Sequence, residues 1–501
     1  MNITMLRPLA LAVLLAVSQA ASAQLPAPVS QLLFDANIPE DAMSALVLRG
    51  DTALLSHQAE RQLNPASTMK LVTTIVALDQ LGPAFRGRTE LRSGASVSGD
   101  VLRGDLVLRG GADADFSGEV LERMLQSLRN QGIRKIDGRL VLDRQLFNPA
   151  RPDIGAPQFD ESPEAYTNVI PDALMVNKNM LELDLRSGSG TLAAVAYPVL
   201  DGVTVSSAMT LVDADCGSWA NGWKQPDVLR DKLGKITVVL KGSFPKYCAK
   251  TYRINVLDRQ DYLDRLFRAT WHRLGGVLVG DTVEAAGPPA TRLLAEHVSR
   301  SLPDIVRDFN KSSDNTLART VFLTLGSLEA DPLAGSRALA AVPGETTVAR
   351  AERTVRDWMR ARGIDDTGLV LENGSGLSRI ERISAVQMGG VLQAGLRSNW
   401  SPEFVSSLPI AAVDGTLRRR LADSPAAQRA RLKTGTLRNV VAVAGYVRDA
   451  GGQQCVVVAM INSELIGNGK GRAVLDALVD WVARSGAAHG GEGAGTIAPI
   501  R

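Results

Sequence analysis

The sequence predicts a mixed α/β (α+β) fold in more than one domain, and three observations predict it. Strand-like pairs stand near opposite ends of the chain: "SALVLRGDTALLSHQ", a hairpin about a Gly50-Asp51 turn, and "VVAVAGYVRDAGGQQCVVVAMIN". Between them, helical periodicity gives way from Arg88 to about Ile254 to short alternating strands that look like an insert, and then returns. The 501 residues also exceed the size at which a single hydrophobic core stops growing.

The first residues, "MNITMLRPLALAVLLAVSQAASAQ", carry one positive charge (Arg7), an apolar stretch from Leu9 to Val17 and small residues at Ala21 and Ala23. This is the pattern of a secretory signal peptide over residues 1–23, cut before Gln24. The apolar stretch is shorter than the roughly 20 residues that span a bilayer, and no later segment is long and apolar enough to do so. The mature protein is therefore expected in the periplasm of a bacterium, without a transmembrane segment. After the hairpin, "NPASTMKLVTT" opens a helix that runs to Leu81, where Gly82 stops it. The middle strands are "GDLVLRGG", "GRLVLDRQLF", "MLELDLRSG" and "KITVVLKGSF", with one helix around "SGEVLERMLQSLRNQGI". Helices follow at "DYLDRLFRATWHRLGG", from Ile305 to Leu325, and at "TTVARAERTVRDWMRARG". The closing helix, "GRAVLDALVDWVARSG", has as much Asp as Arg on its polar face, which favours core packing over a membrane surface. The Gly- and Ala-rich tail, 486–501, is expected to be disordered.

Composition narrows the function classes. With 45% apolar residues, 22% charged residues and a formal net charge of +3, the chain is an ordinary globular protein with no basic surplus for nucleic acid. Cys216 and Cys248 close a loop of about 30 residues, a disulfide worth about 3 kcal/mol in an oxidising compartment. Cys455 lies in a strand-like run and reads as a buried thiol. The chain has no C-x-x-C, and His57, His272, His297 and His489 are scattered without H-E-x-x-H, so neither a metal nor a redox cofactor is expected. His297 reads as a helix-end residue. No G-x-S-x-G elbow is present, and Gly374 to Gly376 in "NGSGLS" reads as a glycine turn rather than a phosphate loop.

Three short motifs carry the chemistry. Ser67 and Lys70 are three residues apart, so on a helix they share a face. Pro65 suits the first helical position, which places Ser67 in the first turn, where unpaired N–H groups and the helix dipole favour developing negative charge. A lysine removes a serine proton only if its pKa falls far below about 10.4, and both burial and a second cation push it down. Lys433, with Thr434 and Gly435 in "RLKTGTL", offers that cation, and Gly435 permits close backbone approach to a ligand. In "NKSSDNTLA", Ser313 and Asn315, flanking Asp314 in a helical region, offer a proton relay and an amide for a substrate carbonyl. Each motif alone is weak, but three in this order are not.

S-x-x-K, S-D-N and K-T-G in this order resemble the penicillin-recognising serine enzymes. "NPASTMKLVTT", "RDFNKSSDN", "ENGSGLSR", "AAVDGTLRRRL", "LKTGTLRNVVAVAGYV" and, in the insert, "YTNVIPDALMVNKN" narrow the resemblance to the D-alanyl-D-alanine carboxypeptidase/endopeptidase family, the class C low-molecular-mass penicillin-binding proteins of peptidase family S13. The resemblance implies a β-lactamase/transpeptidase-like helical cluster on an antiparallel sheet, with two inserted mostly-β domains. It implies a split catalytic domain (24–87 with 290–485), an inserted domain II (88–170 with 255–289) and a nested domain III (171–254). It makes Ser67 the nucleophile, Lys70 its base, Ser313 the proton donor to the leaving amine and Asn315 the amide that holds the substrate. Lys433 and Thr434 would meet the substrate carboxylate, and the backbone N–H groups of Ser67 and Thr436 would form the oxyanion hole. Asp160, in "PQFDESPEAY", lies where the family insert contributes an acidic substrate contact, although a solvated loop carboxylate is the simpler reading. "GGADAD" departs from the family's G-x-G-D-P, so that turn is expected to be rebuilt. The implied partners are peptidoglycan stem peptides and β-lactam antibiotics. The competing readings are a non-catalytic peptidoglycan-binding scaffold and a β-lactamase.

Overall fold

Strands from both ends of the chain meet in one antiparallel sheet. In this computed structural model, which describes residues 24–332, 335–340 and 342–486, the order is Thr52–His57, Met43–Arg49, Gln454–Asn462, Val440–Arg448, Arg431–Leu437. The expected signal peptide (1–23), His489 and all of the expected tail beyond Gly486 lie outside the described residues. Alternation along the central strands sends Val456, Val458 and Met460 to one face and Cys455, Val457, Ala459 and Ile461 to the other. The first face packs on the helices Lys70–Leu81, Asn315–Leu325, Thr347–Arg360 and Ala385–Arg397, and the second on Ala27–Asp35 and Lys470–Arg484. With both faces covered, these strands read as unbroken apolar runs, each buried Val or Ile worth about 2 kcal/mol. The closing helix turns Val474, Leu475, Leu478 and Val482 into the second core, as its balanced polar face indicates. Among the described residues, no helix is long and apolar enough to cross a membrane.

The middle section is built on a five-stranded mixed sheet ordered Thr282–Glu284, Leu140–Asp143, Leu106–Gly111, Arg88–Ser93, Arg292–Val298, with smaller sheets between residues 181 and 254. One apolar cluster runs through all of it from Leu91 to Trp271. The helix Gly118–Asn130, capped by the Ser117 hydroxyl, turns Leu121, Leu125 and Leu128 into that cluster. Cys216 and Cys248 are bonded, and Cys455 is buried and free.

The helical region Ile305–Leu325 comprises two helices, Leu302–Ser312 and Asn315–Leu325, parted where Ser313 turns left-handed (φ 62°) and Asp314 caps the second helix through Leu317 N–H. One expectation is corrected. His297 is not at a helix end. It lies in the strand Arg292–Val298, with Nδ1 2.6 Å from Asp113 Oδ2, because its segment pairs with Arg88–Ser93. In "GGADAD", Ala112 takes a positive φ of 57° and Asp113 Oδ1 accepts Asp115 N–H.

Candidate active site

Ser67 sits in a 3₁₀ turn, Ala66–Met69, that runs directly into the helix Lys70–Leu81. Pro65 precedes that turn rather than occupying its first helical position. Ala66 is left-handed (φ 43°), a conformation costing about 1–3 kcal/mol for a residue with a side chain. It is held by Asn64, whose Oδ1 accepts Ala66 N–H at 2.8 Å and whose Nδ2 donates to Ser378 O at 3.0 Å.

The three-residue spacing does what it promises: Lys70 Nζ lies 3.1 Å from Ser67 Oγ. Lys70 is fully buried and also donates to Asn315 Oδ1 (2.7 Å) and to Ser375 O (2.6 Å). Burial lowers its pKa to about 7, against the opposing pull of the Asp314 and Glu381 charges, with Arg319 adding to the downward push. Lys433 is fully buried too, and burial together with the Lys70 charge pushes it well below the usual lysine range. Its Nζ donates to Ser313 Oγ (2.9 Å) and to Thr434 O (2.8 Å). The helix break explains the placement of the second motif, since it frees the Ser313 hydroxyl and the Asn315 amide to turn to the same cleft.

The motif Lys433-Thr434-Gly435 lies on the edge strand Arg431–Leu437. Gly435 also has a packing role. A Cβ there would stand 2.7 Å from Pro65 O and 3.0 Å from Ser67 N, so glycine lets the strand seat against the nucleophile turn. Thr434 Oγ1 donates to Thr416 Oγ1 at 2.7 Å.

A cleft of about 800 Å³ is lined by Ser67, Asp160, Thr167, Ser313, Asn315 and Thr436, among others. Asp160 is thus brought to the same opening as Ser67, its Oδ1 accepting Ser162 N–H (2.9 Å) and Asn168 Nδ2 (2.7 Å). A larger cavity of about 980 Å³, beside Leu46 and Leu48, contains none of the motif residues. Lys70 and Lys433 lie beneath the cleft floor. Such an arrangement allows a hydroxyl to lose its proton to a buried amine whose neutral form is accessible near pH 7, next to a second hydroxyl hydrogen-bonded to another amine. Among the described residues, no cluster of three or more His, Cys, Asp or Glu is placed to hold a metal ion.

Sequence reasoning missed how the insert holds the second motif. Tyr166 and Lys178, both in "YTNVIPDALMVNKN", bond Asp314 Oδ2, and Asn315 Nδ2 donates to Thr167 O at 3.1 Å. Both ends of the Asn315 amide are therefore engaged, one by Lys70 and one by the insert. It also missed Glu381, fully buried, whose Oε1 accepts the N–H groups of Glu372, Asn373 and Gly374 while Oε2 has no hydrogen-bond partner. This carboxyl anchors the loop that presents Ser375 O to Lys70. A buried carboxyl among so few Glu-specific sequence signals is visible only once the loop is folded around it.

Burial raises the Glu381 pKa. A raised carboxyl pKa means that stability is greatest below the unfolded value of about 4.3 and declines as pH rises through the folded value. Glu381→Gln removes that decline. The thermal midpoint of the variant is expected to gain on wild type as pH rises above about 4.3, with no gain below it. A constant difference across that range, read by calorimetric melts, contradicts the assignment.

The model of the D-Ala-D-Ala carboxypeptidase 3 (S13) family matches residues 25–485. The D-alanyl-D-alanine carboxypeptidase of Actinomadura sp. (strain R39) is 30% identical over 426 residues, covering 81% of this chain and 76% of that protein. D-alanyl-D-alanine carboxypeptidase DacB of Haemophilus influenzae is 26% identical over 411 residues, 80% of this chain and 81% of the relative. The crystal structure of penicillin binding protein 4 from Haemophilus influenzae superposes with a TM-score of 0.71 at 23% identity, over 90% of this chain and 97% of its own, a likeness of fold. The match over nearly the whole described chain settles the family: this protein belongs to the D-Ala-D-Ala carboxypeptidase 3 (S13) family of serine peptidases.

Proposed function

We propose that this chain is a periplasmic serine DD-peptidase that hydrolyses the terminal D-alanyl-D-alanine bond of peptidoglycan stem peptides, and D-alanyl cross-links, through an acyl-enzyme on Ser67. The carrying observation is Lys70 Nζ at 3.1 Å from Ser67 Oγ with its pKa brought to about 7. Lys70 accepts the Ser67 proton as Oγ attacks the carbonyl of the penultimate D-alanine, and the N–H groups of Ser67 and Thr436 take the developing oxyanion. The C–N bond then breaks as Ser313, polarised by Lys433, passes a proton to the departing amine and regains the one that Lys70 gives up, which leaves Lys70 neutral again. Water then gives a proton to Lys70 as its oxygen attacks the acyl carbonyl, and Lys70 returns that proton to Ser67 Oγ as the acyl group leaves. Lys433, buried and committed to Ser313 and Thr434 O, acts on the substrate carboxylate through its charge, while Thr434 and Thr436 offer the hydroxyl contacts. Asn315 positions Lys70 and reaches substrate only by releasing Thr167 O. The catalytic unit is read as 24–87 with 290–485, and the insert as the wall that carries Asp160 and steadies Asp314.

β-Lactams present a similar acyl group and are expected to acylate Ser67. A fluorescent penicillin labels the wild-type protein and leaves Ser67→Ala unlabelled; equal labelling of the two ends the proposal. Release of D-alanine from a pentapeptide separates a peptidase from a scaffold that binds the peptide intact. Many turnovers of nitrocefin per enzyme would move the assignment to a β-lactamase.

A further inference from the structure

A second cavity, about 780 Å³, adjoins the Ser67 cleft along the seam between the insert and the helix Asn315–Leu325. The two spaces share Phe159, Asn168, Leu377 and Arg379 as walls, so they are direct neighbours. Arg319 and Phe322 of that helix line the second space.

Two polar groups there lack the partners that a partly closed site demands. The Arg319 guanidinium has five N–H donors, yet its one hydrogen bond among the described residues is to Val169 O at 3.5 Å, and no carboxylate lies within ion-pair distance of it. Burial lowers its pKa to about 10, opposed first by the field of Glu372. The other carboxylates of the cavity are committed: Asp153 to Arg151 and Arg259, Asp258 to Arg151, and Glu372 to the Ser378 hydroxyl. The second group is Asn168, whose Nδ2 donates to Asp160 Oδ1 and Ser162 O. These bonds fix its orientation and leave Oδ1 a buried acceptor with no partner. An unpaired acceptor and an under-partnered guanidinium on the walls of one cavity match a peptide N–H followed by a carboxylate, which guanidinium binds in a forked, charge-assisted geometry.

Distance sets where on a peptide that carboxylate lies. Arg319 follows Asn315 by four residues, one helical turn and about 6 Å along the axis, on the same side. An extended peptide advances about 3.5 Å per residue. We propose that Arg319 and Asn168 form a subsite for a free carboxylate on the acyl side of the peptide substrate, about two residues before the acyl alanine. The inference rests on the peptidase reading given above and adds to it a preference for a charged stem.

The test uses two synthetic pentapeptides ending in D-alanyl-D-alanine, identical except for a carboxylate or a carboxamide on the second residue before the acyl alanine. Calorimetric titration of each into Ser67→Ala protein, where nothing turns over, is expected to show the carboxylate peptide binding about 10-fold or more tightly, the scale of a charged hydrogen bond. In Ser67→Ala/Arg319→Gln the ratio falls to within about twofold, and Arg319→Lys, which keeps the charge without the fork, gives an intermediate ratio. Asn168→Ala weakens both peptides together. Equal affinities in the Ser67→Ala protein, binding of neither peptide, or a ratio unchanged by Arg319→Gln overturns the subsite. Because the readout is binding, a wild-type protein that penicillin fails to label sinks the catalytic reading while the ratio still decides this one.

Discussion

Lys70→Met is expected to slow acylation by benzylpenicillin by about 1,000-fold, within the range a positioned base contributes, and to abolish D-alanine release on the timescale of an ordinary assay. Lys433, the second amine at the site, cannot substitute, because its Nζ is already spent on Ser313 Oγ and Thr434 O. In the wild type, the base works only when unprotonated. Its pKa near 7 means that the acylation rate climbs from pH 5 to about pH 7 and levels off above, whereas with a lysine at 10.5 it would still be climbing at pH 9. Glu381 holds that value up by its charge, so Glu381→Gln moves the rising limb to lower pH. The measurement is the time course of the covalent adduct by mass spectrometry at each pH. A flat profile from pH 5 to 9, or a Lys70→Met protein that acylates at near the wild-type rate, removes Lys70 from the role of base.

The chemistry at the nucleophile was legible because it is local. Ser67 and Lys70 meet through helical spacing alone, and the Gly82 stop and the Gly50-Asp51 hairpin follow from backbone preferences of single residues. The sheet, too, could be read from its unbroken apolar runs. What pattern does not reveal is anything that depends on contacts across hundreds of residues. The left-handed Ser313 splits a helix whose apolar periodicity continues through the break, so the periodicity hides it. The insert's grip on Asp314 joins residues 136 and 148 positions apart, and no composition signals it. The packing role of Gly435 is hidden for the same reason, since only the folded chain shows that it makes room for Pro65 O and Ser67 N.

Gly376→Ala tests that kind of long-range fit most severely. Its φ of 76° lies where an alanine is strained, which alone costs about 1–2 kcal/mol. The larger effect is steric: the new Cβ would stand 1.8 Å from Ala66 O, 2.3 Å from Ala66 C and 2.8 Å from Ser67 N, all backbone atoms with no flexible end to swing away. Relief must come from moving the nucleophile turn or the loop whose neighbouring Ser375 O holds Lys70. Either shift pulls Ser67 and Lys70 out of register, and a displacement of about 1 Å is enough to cost about 100-fold in rate. Gly50→Ala separates the two contributions, because Gly50 shares the positive φ (57°) but has nothing within 4 Å of its added Cβ. Gly50→Ala is therefore expected to lower the melting temperature modestly and to leave penicillin acylation at the wild-type rate, whereas Gly376→Ala lowers both, the acylation rate by about 100-fold or more. Equal acylation by the two variants would mean that the Ser67 turn tolerates displacement, and with it that the tight packing of residues 375 and 376 behind the nucleophile has no part in setting its reactivity.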